Sequence, residues 1–390
     1  DSIAVLAPGS QHGVHYSPTY AGPRACVFLP AFRPLPTRAR LTRAPPRLPH
    51  TASPPLLFSP SRLAETRDVN TLTLLMLPPL DSHAADWAAQ IMREVPEWNV
   101  VLIEDEAEVD QLLPTADAAY GWVSPEQLPR AEKLRWLQNP FAGPFPGYYY
   151  DELISHPTTI CNPRGIYSDH ISHHILMFML ALSRGLPYWM QAQQARRWDP
   201  RARQRGYVNL AESTVLIHGV GGIGAATADL CAAFGMRVLG IDARSENASA
   251  AEIHAPDQLD AKLPEADFVV TTVPHTPETE GIWNASRFAL FREGAYFINI
   301  GRGMTTRLDD LVGALESGRL RGAALDVYEI EPLPAEHPLW GMENVLLTPH
   351  IAVADADDIP DRRVSILVEN ARRFRDGETL TNVVDKSRWF

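Results

Sequence analysis

The chain of 390 residues is 45% hydrophobic and 21% charged, which is typical of a globular protein and leaves room for two domains. Its formal net charge of -12 argues against nucleic acid or an anionic membrane surface as a partner, and no apolar run is long enough for a spanning helix. Three cysteines without a C-x-x-C pair indicate neither a disulfide framework nor a cysteine zinc site, so we expect a reducing, intracellular compartment.

Residues 1–68 differ in composition from the rest of the chain. Up to Ala64 they contain seven arginines and one acidic residue, Asp1, among many prolines. Such a segment buries too little apolar surface to offset its ordering entropy, so we predict a disordered extension. Its Arg-rich, acid-poor composition is also that of an organellar transit peptide, although the proline content is high. A cytoplasmic and an organellar location both stay open, as does spurious sequence upstream of the true start.

Five short apolar runs in the next hundred residues predict strands. They are expected at Thr71–Leu77, Asn99–Ile103, Ala116–Trp122, Leu134–Gln138 and Thr158–Asn162. Asp81 or Ser82 is expected to cap the first helix between them. Strands that alternate with short helices predict a small α/β domain with a parallel sheet.

A glycine-rich turn follows the next predicted strand, Thr214–Ile217. Gly219, Gly221 and Gly224 have G-x-G-x-x-G spacing and precede an Ala-rich helical pattern. Glycines let a backbone turn tightly and approach a pyrophosphate, and the helix N-terminus attracts the negative charge. The strand before the turn and the helix after it therefore predict a dinucleotide-binding site.

Asp242 ends the following predicted strand, Arg237–Ile241. It stands near the spacing expected for a carboxylate that binds the adenosine ribose hydroxyls. Because such a carboxylate repels a 2′-phosphate, we predict NAD as the cofactor. Arg244, two residues further on, is able to accept a phosphate, so NADP is disfavoured and not excluded.

The remaining elements complete a second domain. Strands at 267–273, 295–300, 323–327 and 345–347, with helices between most of them, predict a doubly wound sheet. A helix from Ser168 to about Arg184 leads into this domain, and a helix at 361–375 is expected to return to the first. We therefore predict two Rossmann-like or flavodoxin-like doubly wound domains, with an NAD-binding domain (168–354) inserted into a discontinuous substrate domain (69–167 and 355–390).

Five ordered motifs make residues 71–390 resemble the D-isomer-specific, NAD-dependent 2-hydroxyacid dehydrogenases. They are GVGGIG with its following acid, VPHTPETEG (273–281), NIGRG (299–303), ALDVYEIEP (324–332) and HPLWGMENVLLTPHIA (337–352). An Ala-Gly loop at 142–143 and the run 161–167 look like the glyoxylate/hydroxypyruvate reductase branch. The resemblance implies reduction of a small 2-oxo acid to the D-2-hydroxy acid by hydride transfer.

The resemblance also implies three catalytic residues, Arg302, Glu331 and His350. Arg302 would hold the substrate carboxylate with its planar guanidinium. His350 would donate the proton in reduction, and Glu331 would pair with it and raise its pKa. The competing acid is Glu329, and the family pattern D-V-Y/F-E-x-E-P favours the second glutamate.

Cofactor and substrate contacts follow from the same motifs. The backbone amides of Ala142 and Gly143 would help Arg302 to bind the substrate carboxylate, Asp326 would contact the nicotinamide carboxamide, and Trp340 is a candidate for the pocket wall. The residues predicted to contact the cofactor are Gly219, Gly221, Gly222, Ile223, Gly224, Asp242, Val273, Pro274, Thr279, Ile300, Asp326 and His350.

Two departures from the family pattern are visible. Val353 replaces the glycine usual three residues after the catalytic histidine, and it could crowd the carboxamide end of the nicotinamide. His170 and His174 are spaced i, i+4 on the predicted long helix, which would suit a metal. Since no obvious further ligand matches their spacing, we predict no metal and expect both histidines at the surface or at a subunit interface.

A second class of function stays open beside the reductase. A corepressor-like protein that senses NAD and binds protein partners with little turnover would keep the same catalytic residues. The family resemblance further implies a homodimer formed through the long helices. Turnover of 2-oxo acids distinguishes the two functions, and a small-molecule 2-oxo acid is the partner that the reductase hypothesis requires.

Overall fold

A parallel five-stranded sheet forms from the first predicted strands in the computed structural model, which describes residues 72–143, 147–198, 207–244, 250–354 and 356–388. The strand order is β2-β1-β3-β4-β5. The strands are β1 (Leu72–Met76), β2 (Trp98–Leu102), β3 (Ala118–Tyr120), β4 (Trp136–Gln138) and β5 (Thr159–Cys161). The helices between them are α1 (Ala84–Glu94), α2 (Glu106–Leu112) and α3 (Asp151–Ser155).

Both faces of this first sheet are covered, which explains why β1 is apolar at every position except Thr73. Leu74 and Met76 belong to a core with Trp87 of α1. The alternate residue, Leu75, belongs to a separate core on the other face, with Leu113. Successive side chains of a strand point to opposite faces, so a strand between two cores is largely apolar.

The second sheet is parallel and has seven strands, in the order β12-β11-β10-β9-β6-β7-β8. Its strands are β6 (Thr214–His218), β7 (Arg237–Ile241), β8 (Glu252–His254), β9 (Phe268–Thr271), β10 (Ala295–Asn299), β11 (Leu320–Leu325) and β12 (Val345–Leu347). Its helices are α4 (Ser168–Ser183), α5 (Leu186–Gln194), α6 (Gly222–Ala233), α7 (Leu259–Lys262), α8 (Ala285–Phe288) and α9 (Leu308–Glu316). The predicted doubly wound α/β fold is confirmed.

The position of β6 between β9 and β7 determines where a ligand can bind. The next strand along the chain, β7, pairs with one edge of β6, and β9 pairs with the other. The loop after β6 therefore lies where the strand order reverses, and in open α/β sheets this crevice at the carboxyl ends of the strands is the ligand site.

The last helix, α10 (Ile359–Asp376), returns to the first sheet, as predicted. Val364 and Leu367 of α10 lie in the same core as β1, and the Trp98 indole donates a hydrogen bond to the Ala371 carbonyl at 2.9 Å. Beyond α10, Val383 forms an antiparallel bridge with Cys161 of β5. The domain boundaries themselves stay a prediction, and residues 66–390 form one compact unit.

Two local predictions are corrected by the structure. The N-terminal cap of α1 is His83 and not Asp81 or Ser82, and Asp81 instead accepts a hydrogen bond from the His83 amide at 2.9 Å. Strand β8 was not predicted, because its three residues at the sheet edge are largely polar. The predicted disordered segment, 1–68, lies outside the described residues. Every helix in the described part of the chain is too short or too polar to cross a membrane.

Candidate active site

The glycine-rich turn lies between β6 and α6, as predicted. Gly219 has a φ of +94°, and a side chain there would also bring its Cβ to 2.9 Å from the Val273 Cγ1. Helix α6 begins at Gly222, and the amides of a first helical turn have no acceptor within the helix. The turn therefore has the backbone shape and the donors that a pyrophosphate requires.

Asp242 supports this turn from the end of β7. Its carboxylate accepts hydrogen bonds from the amides of Val220 at 2.7 Å and Arg244 at 2.8 Å. The Arg244 Nε lies 3.6 Å from the same carboxylate. A carboxylate has about four acceptor positions, so two amide bonds leave it able to accept from ribose hydroxyls.

The other predicted cofactor residues lie at the neighbouring strand ends. Val273 and Pro274 follow β9, and Ile300 directly follows β10 with its amide bonded to the Thr271 carbonyl at 3.2 Å. The Thr279 hydroxyl donates to the Pro274 carbonyl at 2.7 Å and so closes the loop. The parallel order β10-β9-β6 places both loops beside the glycine turn.

Arg302 projects from a turn that the buried Asn299 builds. The Asn299 side chain accepts from the Gly301 amide at 3.0 Å and donates to the Arg302 carbonyl at 3.1 Å. The Arg302 guanidinium donates to the carbonyls of Gly301 at 2.7 Å and Gly143 at 2.9 Å. Burial lowers the pKa of Arg302, although an arginine remains protonated.

The loop at Ala142 and Gly143 faces Arg302 from the end of the first sheet. A Cβ at Gly143 would overlap the Arg302 guanidinium, so a side chain there would displace that group from its present position. The buried Asn162 donates to the Ala142 carbonyl at 3.2 Å, and Asn139 accepts from the Phe141 amide at 2.9 Å. The loop and the arginine are therefore held together, as the prediction of a shared carboxylate site requires.

His350 and Glu331 form a direct pair, with 2.9 Å between the His350 Nδ1 and the Glu331 Oε2. The hydrogen bond to Glu331 raises the pKa of His350. Burial raises the pKa of Glu331, but the hydrogen bonds from His350 and from the Tyr328 amide outweigh it and leave that pKa lowered. Both shifts favour the ion pair of an imidazolium and a carboxylate. The charges of Arg302 and Glu331 also act on each other.

Glu329 has a different partner from Glu331. Its carboxylate accepts from the amide of Leu308, the first residue of α9, at 3.0 Å. A carboxylate at that place stabilises the helix terminus. Of the two glutamates, the structure brings the second to the histidine.

Asp326 is buried directly behind the His350 loop. Its Oδ1 accepts from the Thr348 hydroxyl at 2.6 Å and the Ile351 amide at 2.9 Å, and its Oδ2 accepts from the Ala352 amide at 3.1 Å. One acceptor position on Oδ2 remains for the carboxamide contact that the motif predicts.

Of the three histidines of α4, the predicted pair His170 and His174 is not wholly at the surface. The His170 Nε2 lies 2.9 Å from Asp358, near the start of α10. The His174 side chain is only 13% exposed, and its Nε2 lies 3.0 Å from the Thr348 Oγ1 and 3.9 Å from Asp326. The expectation of a surface position is therefore wrong for His174, and a position at a subunit interface stays a prediction.

Sequence reasoning missed several groups that shape the site. Asn139, Asn162, Asn299, Thr348 and His174 act on the candidate residues through hydrogen bonds across the fold. A possible signal was that Asn299 and Thr348 lie inside the quoted motifs. The predicted roles of Trp340, whose indole donates to the Pro334 carbonyl at 2.9 Å, and of Val353 stay predictions.

Comparisons with known proteins point to one family. The sequence pattern described as "D-isomer specific 2-hydroxyacid dehydrogenase, NAD binding domain" matches residues 176–352. A glyoxylate/hydroxypyruvate reductase A from Serratia proteamaculans is 32% identical over 222 residues, which cover 56% of this chain and 68% of that protein.

Solved structures agree with the sequence relatives. A D-isomer specific 2-hydroxyacid dehydrogenase family protein from Aeromonas salmonicida has 31% identity and a TM-score of 0.68, covering 81% of this chain and 99% of that chain. An NADPH-dependent glyoxylate/hydroxypyruvate reductase from Sinorhizobium meliloti, solved with NADP and sulfate, has 27% identity and a TM-score of 0.68, covering 82% and 100%.

Proposed function

Because the chain belongs to the D-isomer specific 2-hydroxyacid dehydrogenase family, a class of NAD(P)-dependent oxidoreductases, we propose that it reduces a small 2-oxo acid to the D-2-hydroxy acid. The substrate is of the glyoxylate or hydroxypyruvate type, as the names of its relatives suggest. The observation that carries the proposal is the grouping of the hydrogen-bonded His350–Glu331 pair with a partly buried arginine that faces a backbone loop.

The cofactor site fits a nicotinamide dinucleotide. The turn at Gly219 has no room for a side chain, and Asp242 retains acceptor capacity for ribose hydroxyls. When bound, the nicotinamide supplies the hydride. The protein must supply the remaining parts of the reaction, which are substrate orientation and a proton.

Arg302 orients the substrate in this proposal. A guanidinium has five N–H donors, and the two contacts to Gly301 and Gly143 leave donors for a carboxylate. In this proposal the backbone amides of Ala142 and Gly143 are further donors to the same carboxylate. A 2-oxo acid held there by its carboxylate presents its carbonyl oxygen to the neighbouring residues.

His350 provides the proton. Its Nδ1 is bonded to Glu331, so Nε2 is the atom that protonates the developing alkoxide. The raised pKa of His350 keeps the imidazolium form available at neutral pH. After transfer, Glu331 keeps the ring in the orientation required for reprotonation.

NAD is the proposed cofactor, with NADP as a weaker substitute. The negative charge of Asp242 next to the glycine turn disfavours a 2′-phosphate. Arg244 partly offsets this charge, since its Nε lies 3.6 Å from the Asp242 carboxylate. The S. meliloti relative is NADPH-dependent, so steady-state rates with NADH and NADPH are needed to test the preference.

A panel of 2-oxo acids with both cofactors tests the function. We expect turnover of glyoxylate or hydroxypyruvate that disappears in Arg302→Ala and His350→Ala. His83→Ala is the matched control. Like His350, this histidine is exposed and forms a hydrogen bond to a carboxylate, but its partner is Asp81 and it lies at the start of α1. Tight NADH binding without turnover of any 2-oxo acid would refute the proposal and favour the NAD-sensing alternative.

We also propose that a second copy of the chain covers an apolar face of α4, α5 and α6. An open depression of about 590 Å³ is lined there by exposed side chains that include Met177, Leu180, Leu186 and Phe234. Contiguous exposed apolar surface is characteristic of protein interfaces. Light scattering should give twice the chain mass for the wild type and a monomer for Leu180→Glu; a monomeric wild type would refute this.

A further inference from the structure

His174 lies at the far end of a partly buried polar chain that leads to the catalytic loop. Its ring is on α4, and its Nε2 is 3.0 Å from the Thr348 Oγ1. Thr348 is the first residue after β12, and it precedes His350 by two residues. The contact thus joins a helix and a loop that are 174 residues apart in the chain.

The direction of these hydrogen bonds can be deduced. The Thr348 hydroxyl has one proton, and it is 2.6 Å from the carboxylate oxygen of Asp326, which accepts only. The same oxygen of Thr348 must therefore act as the acceptor towards His174, and the Nε2 of His174 carries the hydrogen. The order is His174 to Thr348 to Asp326, and each step has a donor and an acceptor.

Asp326 connects this chain of hydrogen bonds to the residues that follow His350. Its carboxylate accepts hydrogen bonds from the amides of Ile351 at 2.9 Å and Ala352 at 3.1 Å. His350 itself has a φ of +55°, a conformation that residues other than glycine adopt at a cost. The loop therefore needs hydrogen bonds both before His350, at Thr348, and after it, at Ile351 and Ala352, to keep the His350 ring directed at Glu331.

We propose that His174 is a positioning residue for His350, acting through Thr348 and Asp326. Its N–H fixes the Thr348 hydroxyl, which fixes the Asp326 carboxylate and thereby the backbone that carries the proton donor. The assignment of His350 as that donor rests on the proposed function, but the hydrogen-bonded chain does not.

A purely structural role is the competing explanation. The His174 ring also packs edge-on against Phe178, with 4.6 Å between the ring centroids. If packing were its whole role, loss of His174 would lower thermal stability without changing the environment of the His350 ring. A variant of Phe178 alters the packing and keeps the hydrogen bond, so the two roles can be separated.

The test compares His174→Ala, His174→Gln and Phe178→Leu in the full chain. The first readout is the pH titration of the His350 ring, followed by NMR of histidine-labelled protein with His350→Ala for assignment. The charged groups that act on His350 are Glu331, Arg302 and Asp326, and Asp326 also acts on His174. Loss of His174 should weaken the His350–Glu331 hydrogen bond and move the titration to lower pH.

The second readout is turnover. In His174→Ala we expect kcat to fall by about tenfold to a hundredfold, because a small displacement of a reacting group can cost about a hundredfold. The alkaline limb of the rate should move to lower pH with the NMR titration. His174→Gln, which restores an N–H at the position of Nε2, should recover most of both.

Phe178→Leu should lower the melting temperature and leave the His350 titration in place. An unchanged His350 titration and kcat in a folded His174→Ala, or equal effects of Phe178→Leu, would overturn the proposal. An inactive wild type would instead refute the proposed function, and the NMR titration would still decide the role of His174.

Discussion

Two loops at the carboxyl edge of the seven-stranded sheet are built in opposite ways. The glycine turn after β6 depends on backbone, since it has a positive φ at Gly219 and presents amides at the start of α6. The loop after β12 depends on side chains, since Thr348, Asp326 and Glu331 hold a histidine in a left-handed conformation. Phosphates need many amide donors, whereas proton transfer needs one side chain in one orientation.

Removing His350 should have the largest effect on catalysis and should leave the glycine turn intact. His350→Ala should lower kcat by about 10²- to 10⁴-fold, the usual contribution of a positioned acid or base, while NADH still binds. Steady-state rates and fluorescence titration with NADH measure the two quantities. Equal loss of NADH affinity would mean that the two loops are not independent.

Gly219→Ala should break the backbone-built loop instead. A side chain at a φ of +94° costs about 1–3 kcal/mol, and contact with Val273 adds to it. We expect weaker NADH binding and a lower melting temperature, measured by fluorescence titration and thermal unfolding.

Gly313→Ala on α9 is the matched control for this loop. A Cβ added there meets nothing within 4 Å, so stability should be equal or higher. If Gly219→Ala bound NADH as tightly as Gly313→Ala does, the turn would not be the phosphate site.

Glu331→Gln tests the electrostatic part of the side-chain-built loop. Glu331 raises the pKa of His350. Because reduction needs the imidazolium, kcat is highest below that pKa and falls as the pH rises through it. Without the carboxylate the pKa falls, and the alkaline limb of kcat should move to lower pH. Glu329→Gln, at the start of α9, is the control that should keep the wild-type limb.

Arg244→Ala should give the smallest change and refine the description of the glycine turn. Exposed charge pairs contribute about 0.2–1 kcal/mol, so the NADPH-to-NADH ratio of kcat/KM should fall by about fivefold at most. NADH kinetics should stay close to the wild type. An unchanged ratio would mean that Arg244 does not contact a 2′-phosphate.

Much of the fold could be predicted because its strands are buried on both faces. β1, β6 and β9 are mostly apolar, so the sequence pattern predicts them without knowledge of their neighbours. Strand β8 is a short polar edge, and only its pairing with β7 identifies it. The cap of α1 was misassigned because Asp81 and Ser82 both have suitable side chains, and the observed start depends on how the turn closes.

The candidate site likewise contains residues that the sequence predicts and residues that only their partners in the fold identify. Arg302, Glu331 and His350 are predicted by motifs, and the structure places Glu331 beside His350 and Glu329 at α9. His174 gave no such signal, because its partner is 174 residues away and its spacing from His170 suggested a different chemistry.

The sequence by itself determined the doubly wound fold, the glycine turn and the residue types available for catalysis, because local patterns of apolar and glycine residues encode them. Only the tertiary structure decided which groups meet: the Gly143 carbonyl against Arg302, and His174 behind Thr348. The physical reason is that a hydrogen bond depends on distances of about 3 Å between atoms, which strand pairing and helix packing set and which sequence spacing does not.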